Sequence, residues 1–162
     1  MSEDAAALPA SAQRVRDEAG RLGLEIAVME MAASTRTAQD AAAACGCEVA
    51  QIVKSLVFRG SESGRPYLML VSGSNRLNET GVAAILGEAL TRPDADYVRE
   101  VTGFAIGGVP PFAHVSPMQV FVDEDLVRFE TVWAAAGTPR AVFAASPGSL
   151  VNALGAKVLK VT

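Results

Sequence analysis

The sequence predicts an α+β fold, a mixed β-sheet with helices packed around it. Three observations carry this expectation. Apolar stretches with strand character recur along the chain, short helical segments with recognisable caps fall between them, and the two kinds do not alternate strictly. With 162 residues, half of them hydrophobic, the chain suffices for one domain burying roughly 70% of its unfolded surface. Residues 1–162 read as that single domain, with 1–22 as its N-terminal helix region.

In order, residues 11–22 place Val15, Ala19 and Leu22 at helical spacing among charges, an amphipathic helix ended by Gly23. Residues 24–31 (LEIAVMEM) read as a strand. Ser34, Thr35 and Thr37 offer N-caps for an alanine-rich helix over 38–44, closed by Gly46. Residues 51–58 (QIVKSLVF) and the run from Pro66 (PYLMLVSG) form a hairpin around the turn GSESG. Asn78 caps a helix through Leu86, and Pro93 opens another over 94–101. Residues 102–114 (TGFAIGGVPPFAH) are apolar yet punctuated by glycine and proline, unlike a solvated linker. PMQVFVDE reads as a strand, whereas 125–137 fits strand or helix equally. RAVFAAS is a strand, Ser146-Pro147 starts a helix to Leu154, and AKVLKVT closes the chain as a strand.

Composition narrows the function. A formal net charge of −4 is wrong for a protein that grips a long polyanion, so any nucleic-acid contact must be local, as with one end of an RNA. Duplex DNA is not expected as a partner. The acidic start MSEDAAALPA and the lack of an apolar run near ~20 residues predict a cytoplasmic protein with no membrane partner. Cys45 and Cys47 flank Gly46, too close for an unstrained disulfide and too few for a zinc site, and His114 is the sole histidine. We expect reduced thiols, no metal and no cofactor.

Lys54 is the anomaly of the first hairpin strand. Alternation puts Ile52, Lys54, Leu56 and Phe58 on one face and Val53, Ser55 and Val57 on the other. A lone lysine on an apolar face either snorkels to solvent or points its ammonium into a cleft lined by Ile52 and Leu56. In a cleft it would meet a phosphate or a developing oxyanion, where its charge counts for more than in water. The loop Gly107-Gly108-Val109-Pro110-Pro111 is a second anomaly. Its glycines let a ligand approach the backbone, and its prolines fix the course of the chain after them. Nucleotide-binding glycine fingerprints and a nucleophile elbow are absent from the sequence.

IVKSLVF, SGSNRLN (72–78), TGFAIGGVPPFAH and AGTPRAVFAASPGSLVNAL (136–154) together resemble the YbaK family. These are free-standing relatives of the editing domain inserted in bacterial prolyl-tRNA synthetases. The resemblance runs from about Leu22 to the C-terminus, and departs where Ala113 replaces a common glycine. It implies a mostly antiparallel, partly barrel-like sheet and a deacylase acting on mischarged tRNA at its 3′-terminal aminoacyl-adenosine. It further implies Lys54 and Gly108 as catalytic positions. Ile52, Ser55, Leu56, Gly107, Val109, Pro110, Pro111, Phe112 and His114 would bind substrate, with Gly137 and Ser146 as further carry-overs. An aminoacyl-tRNA synthetase is a candidate partner. The chemistry suits this set: an aminoacyl ester is already activated, so positioning water or the 2′-hydroxyl and stabilising an oxyanion suffice. Two rival readings stand beside it: a catalytically silent tRNA-end or synthetase-binding module, and a hydrolase of another small ester or amide.

Overall fold

The structure, a computed structural model, describes residues 8–162, so the acidic start of the N-terminal region lies outside the described residues. Helix α1 (Ala10–Arg21) buries Ala12, Val15 and Ala19, the stripe its periodicity announces. Strand β1 (Val28–Glu30) is shorter than the 24–31 expected. Leu24 donates its N–H back to the carbonyl of Ala19 at 2.9 Å, so the chain is still closing the helix where a strand was anticipated.

Helix α2 (Ala38–Cys45) is capped by Thr37, whose hydroxyl accepts from the Asp40 N–H, and Gly46 ends it in the left-handed conformation. Ser34 and Thr35, the other cap candidates, serve elsewhere. Thr35 is buried and donates its hydroxyl to the Pro139 carbonyl at 2.9 Å. A 3-10 turn over Val49–Gln51 delays strand β2 (Val53–Gly60), which pairs with β3 (Pro66–Ser72) as the expected antiparallel hairpin.

Asn78 caps α3 (Glu79–Leu86) as expected. Strand β4 (Leu90–Thr91) was not anticipated, since two residues carry no periodicity. Helix α4 (Ala95–Thr102) takes Asp94 as its cap, so Pro93 precedes the helix rather than opening it. After β5 (Gln119–Asp123), the ambiguous 125–137 stretch divides into the short helix α5 (Glu124–Val127) and strand β6 (Val132–Ala135). Strand β7 (Ala141–Ala145), helix α6 (Pro147–Leu154) and strand β8 (Lys157–Leu159) complete the chain.

Five strands form one sheet in the order β4-β2-β3-β5-β8, and β1-β7-β6 form a second, wholly antiparallel one. In the larger sheet β4, β2 and β3 run antiparallel, whereas β5 and β8 add in parallel. A single parallel bridge, Ile52 to Trp133, joins the sheets at one corner, giving a barrel-like layout that stays open.

The main core fills the space between the sheets: Val53, Leu68, Leu70 and Val122 meet Val132, Ala134 and Phe143, with α1 laid alongside. A second core on the other face joins Phe58, Tyr67, Met69, Val71 and Phe121 to Val82 of α3. Strand β3 is therefore buried on both faces, as its near-continuous apolar run requires. Phe143 is fully buried, and truncating it to alanine would cost about 3–5 kcal/mol.

Candidate active site

The cleft lies along one edge of β2. Gly60 donates to the Arg65 carbonyl and Ile52 accepts from the Gly73 N–H, so even-numbered residues turn their backbone groups toward β3. Those of Val53, Ser55 and Val57 point the other way. That edge is paired with β4 only at Arg59 and Gly60, and with β6 only through the Ile52 bridge. Between those contacts Ser55 and Val57 present backbone polar groups to a cleft, and across it runs the Ile106–Gly107 turn, with Val109 beyond.

Two basins share a ridge formed by Lys54, Ser55, Leu56, Ile106, Gly107 and Val109. The smaller, about 300 Å³, is walled mainly by apolar groups, among them Ile52, Trp133, Ala134 and Val142, with Arg36 and Thr37 at its rim. The larger, about 480 Å³, is edged by Ser74, Asn75, Arg76 and Arg92. Lys54 thus belongs to both. Its side chain follows the Leu56–Phe58 face of β2, and its ammonium donates to the backbone carbonyl of Asn75 at 2.5 Å. Burial lowers its pKa from the ordinary value; Asp123 opposes that shift and Arg76 adds to it. The Ser55 hydroxyl, on the opposite face, is buried without a protein partner.

Six of the sequence-nominated residues converge here: Lys54, Ile52, Ser55, Leu56, Gly107 and Val109. Ile52 arrives by a different route than alternation predicts, since it precedes β2 and packs beneath α2 with Ala41 and Ala42. Gly107 needs its positive φ of 94°, and the stem of Arg36 lies over it.

Gly108 does not face the cleft. A β-carbon there would sit 2.8–2.9 Å from the Thr138 backbone, so no ligand can approach on that side. The chain then crosses the molecule. Phe112 is core, its ring centroid 5.5 Å from that of Phe143. Pro111, Phe112 and His114 border a separate groove of about 470 Å³ beside α1. His114 is held by the Pro110 carbonyl at 2.7 Å, and burial lowers its pKa. Gly137 packs on Ser11 and bonds the Gly108 carbonyl; Ser146 caps α6. None of these lines the two basins: the 107–114 motif runs from the cleft to the groove beside α1, and Gly137 and Ser146 belong to later segments.

Sequence reasoning passed over Arg36, Ile106 and Trp133 in the walls, and Asn75, Arg76 and Asp123 around Lys54. The SGSNRLN segment carried a signal for Asn75 and Arg76 as part of the family pattern, without a role. Trp133 lay in the stretch that fitted strand or helix equally. Among the described residues, no group of three or more His, Cys, Asp or Glu could hold a metal ion, and no helix is long and apolar enough to cross a membrane.

Fold and cleft define an α+β domain with a lysine-bearing pocket at an open strand edge. The profile of the aminoacyl-tRNA editing domain matches residues 32–153, and the chain belongs to that family. It is 31% identical over 140 residues to the uncharacterized protein YwhH of Bacillus subtilis (strain 168), covering 86% of this chain and 88% of that one. A 94-residue stretch is 31% identical to part of the proline–tRNA ligase of Limosilactobacillus fermentum, spanning 56% of this chain but 16% of the ligase. A crystal structure of a proposed trans-editing enzyme for prolyl tRNA synthetase superposes with a TM-score of 0.91 at 49% identity, covering 96% of this chain and 99% of the other.

Proposed function

We propose that this chain is a trans-editing deacylase. It hydrolyses the ester joining a small amino acid (alanine, serine or cysteine) to the 3′-terminal adenosine of a mischarged tRNA, with tRNA-Pro as carrier. The carrying observation is the position of Lys54 on the ridge between a small apolar basin and a larger one edged by Arg76 and Arg92. In this reading the small basin takes the amino-acid side chain, and the larger takes the terminal ribose and phosphate. Residues 1–162 act as one editing domain, working in the cytoplasm alongside prolyl-tRNA synthetase; the structural relative with that assignment supports the pairing.

The chemistry needs little apparatus. Water, positioned with help from the substrate's own 2′-hydroxyl, attacks the ester carbonyl, and the C–O bond to the ribose breaks as that ribose oxygen takes up a proton, freeing the amino acid. The Lys54 ammonium and the Ser55 N–H at the open edge stabilise the tetrahedral oxyanion. Apolar walls cannot pair a charged side chain and therefore exclude it. They discriminate poorly against an added hydroxyl, so overlapping activity on alanyl and seryl esters is expected.

Incubating the protein with tRNA-Pro charged with alanine, serine, cysteine or proline tests this by release of free amino acid. The small non-cognate esters should be cleaved and prolyl ester spared. Fast release of proline or of a charged amino acid would overturn the pocket assignment. Binding without turnover would favour a silent docking module, and cleavage of simple esters without tRNA another hydrolase.

A further inference from the structure

We propose that Asp123 is a positioning residue for Lys54, acting through Asn75. The proposal rests on the reading of Lys54 as the reactive cation.

Asp123 ends β5 and is 1% exposed. A carboxylate at that depth is unfavourable unless its lone pairs are taken up. Its Oδ2 accepts the Ser72 N–H at 3.0 Å and the Asn75 side-chain amide at 2.8 Å, and its Oδ1 accepts the Asp125 N–H at 2.9 Å. The same amide nitrogen of Asn75 donates to Asp125 at 2.7 Å, and the Asn75 backbone N–H donates to the Ser72 carbonyl at 2.9 Å. Held at side chain and backbone, Asn75 has its carbonyl directed to the Lys54 ammonium. The hairpin end, β5 and the start of α5 thus converge on where one cation stands.

Charge acts in the same direction as geometry. The groups around the Lys54 ammonium are Asp123 from β5, Arg76 from the turn and Arg92 on the wall of the same basin, with Asp125 behind Asn75. Asp123 favours the ammonium form against burial and against Arg76. A purely structural role, capping α5 and closing the 72–75 turn, would leave the titration of Lys54 unchanged.

The test compares wild type, Asp123→Asn, Asn75→Ala and Lys54→Ala by kcat, KM and the alkaline limb of the rate profile. Nuclear magnetic resonance of the Lys54 side chain follows its titration directly. Asp123→Asn should lower kcat by up to about 10²-fold, as a small misplacement of a group at the reacting centre does, with KM within about threefold. It should also move the Lys54 titration to lower pH, and add nothing in a Lys54→Ala background. Asn75→Ala, which leaves the carboxylate in place, should lower kcat with a smaller change in titration, and it serves if Asp123→Asn does not fold. An unchanged Lys54 titration in folded Asp123→Asn, or additive losses with Lys54→Ala, would overturn the proposal. If the wild type cleaves no mischarged tRNA, the editing reading fails, while the titration still decides whether Asp123 governs Lys54.

Discussion

Gly137 donates its backbone N–H to the carbonyl of Gly108 at 2.9 Å, tying the glycine–proline loop to the turn that joins β6 and β7. The two backbones approach so closely that the space over Gly108 belongs to Thr138. A ligand approaching Gly108 from that side would meet the Thr138 backbone. Gly108→Val should therefore lose about 1–3 kcal/mol of stability through overpacking. Thermal denaturation would read this as a fall of several degrees. A variant with normal melting but no activity would restore the catalytic role.

Lys54→Ala should keep the fold and lose roughly 10²–10³ in rate, the usual cost of removing one transition-state contact. Lys54→Arg should also be poor, because a planar fork does not replace a compact ammonium at the Asn75 carbonyl. Near-normal turnover by the alanine variant would remove Lys54 from the mechanism.

The pH profile follows from burial. The pKa of Lys54 lies below the ordinary lysine value of 10.5. If the ammonium is the active form, activity is full below the shifted pKa and is lost as pH rises through it. The alkaline decline, corrected for spontaneous ester hydrolysis, should begin at lower pH than an unperturbed lysine would give. A profile flat to pH 10.5 would contradict this.

Thiol-blocking reagents should spare activity. Burial, reinforced by Cys47, raises the pKa of Cys45 to about 11, and burial also raises that of Cys47. Neither is poised as a thiolate nucleophile, and neither borders the two basins. Loss of turnover in a folded Cys45→Ser, Cys47→Ser variant would overturn this.

Ala113 occupies left-handed backbone at φ 71°, the sole non-glycine residue to do so among those described. A β-carbon there costs about 1–2 kcal/mol, part of which glycine's greater unfolded-state entropy offsets. Ala113→Gly should raise the melting temperature by a few degrees without altering kinetics. A lower melting temperature would show that the methyl's packing against the core outweighs the strain.

Local chemistry was legible in the sequence wherever a residue acts through its neighbours in the chain. The caps at Thr37, Asn78 and Ser146, the hairpin around GSESG and the lysine misplaced in QIVKSLVF are all events within a few residues. Element ends were less legible, since partners distant in sequence set them. Strand β1 extends only where β7 meets it, and β4 exists only because it pairs with β2.

A lysine on an apolar strand, and the string of short motifs that marks an editing domain, can be read from the order of residues alone. Which of those motifs share a site depends on how the strands assemble. Val109 and Phe112 share one core, yet Val109 borders the cleft whereas Phe112, three residues on, borders the groove beside α1. Conversely Asp123, Asn75 and Lys54 meet although 48 residues separate the first two and 21 the last two. Their meeting depends on β5 entering the sheet parallel to β3. That pairing brings a carboxylate beneath a turn that local sequence alone leaves free to point elsewhere. Strand register sets it, and register is a property of the sheet rather than of any one segment.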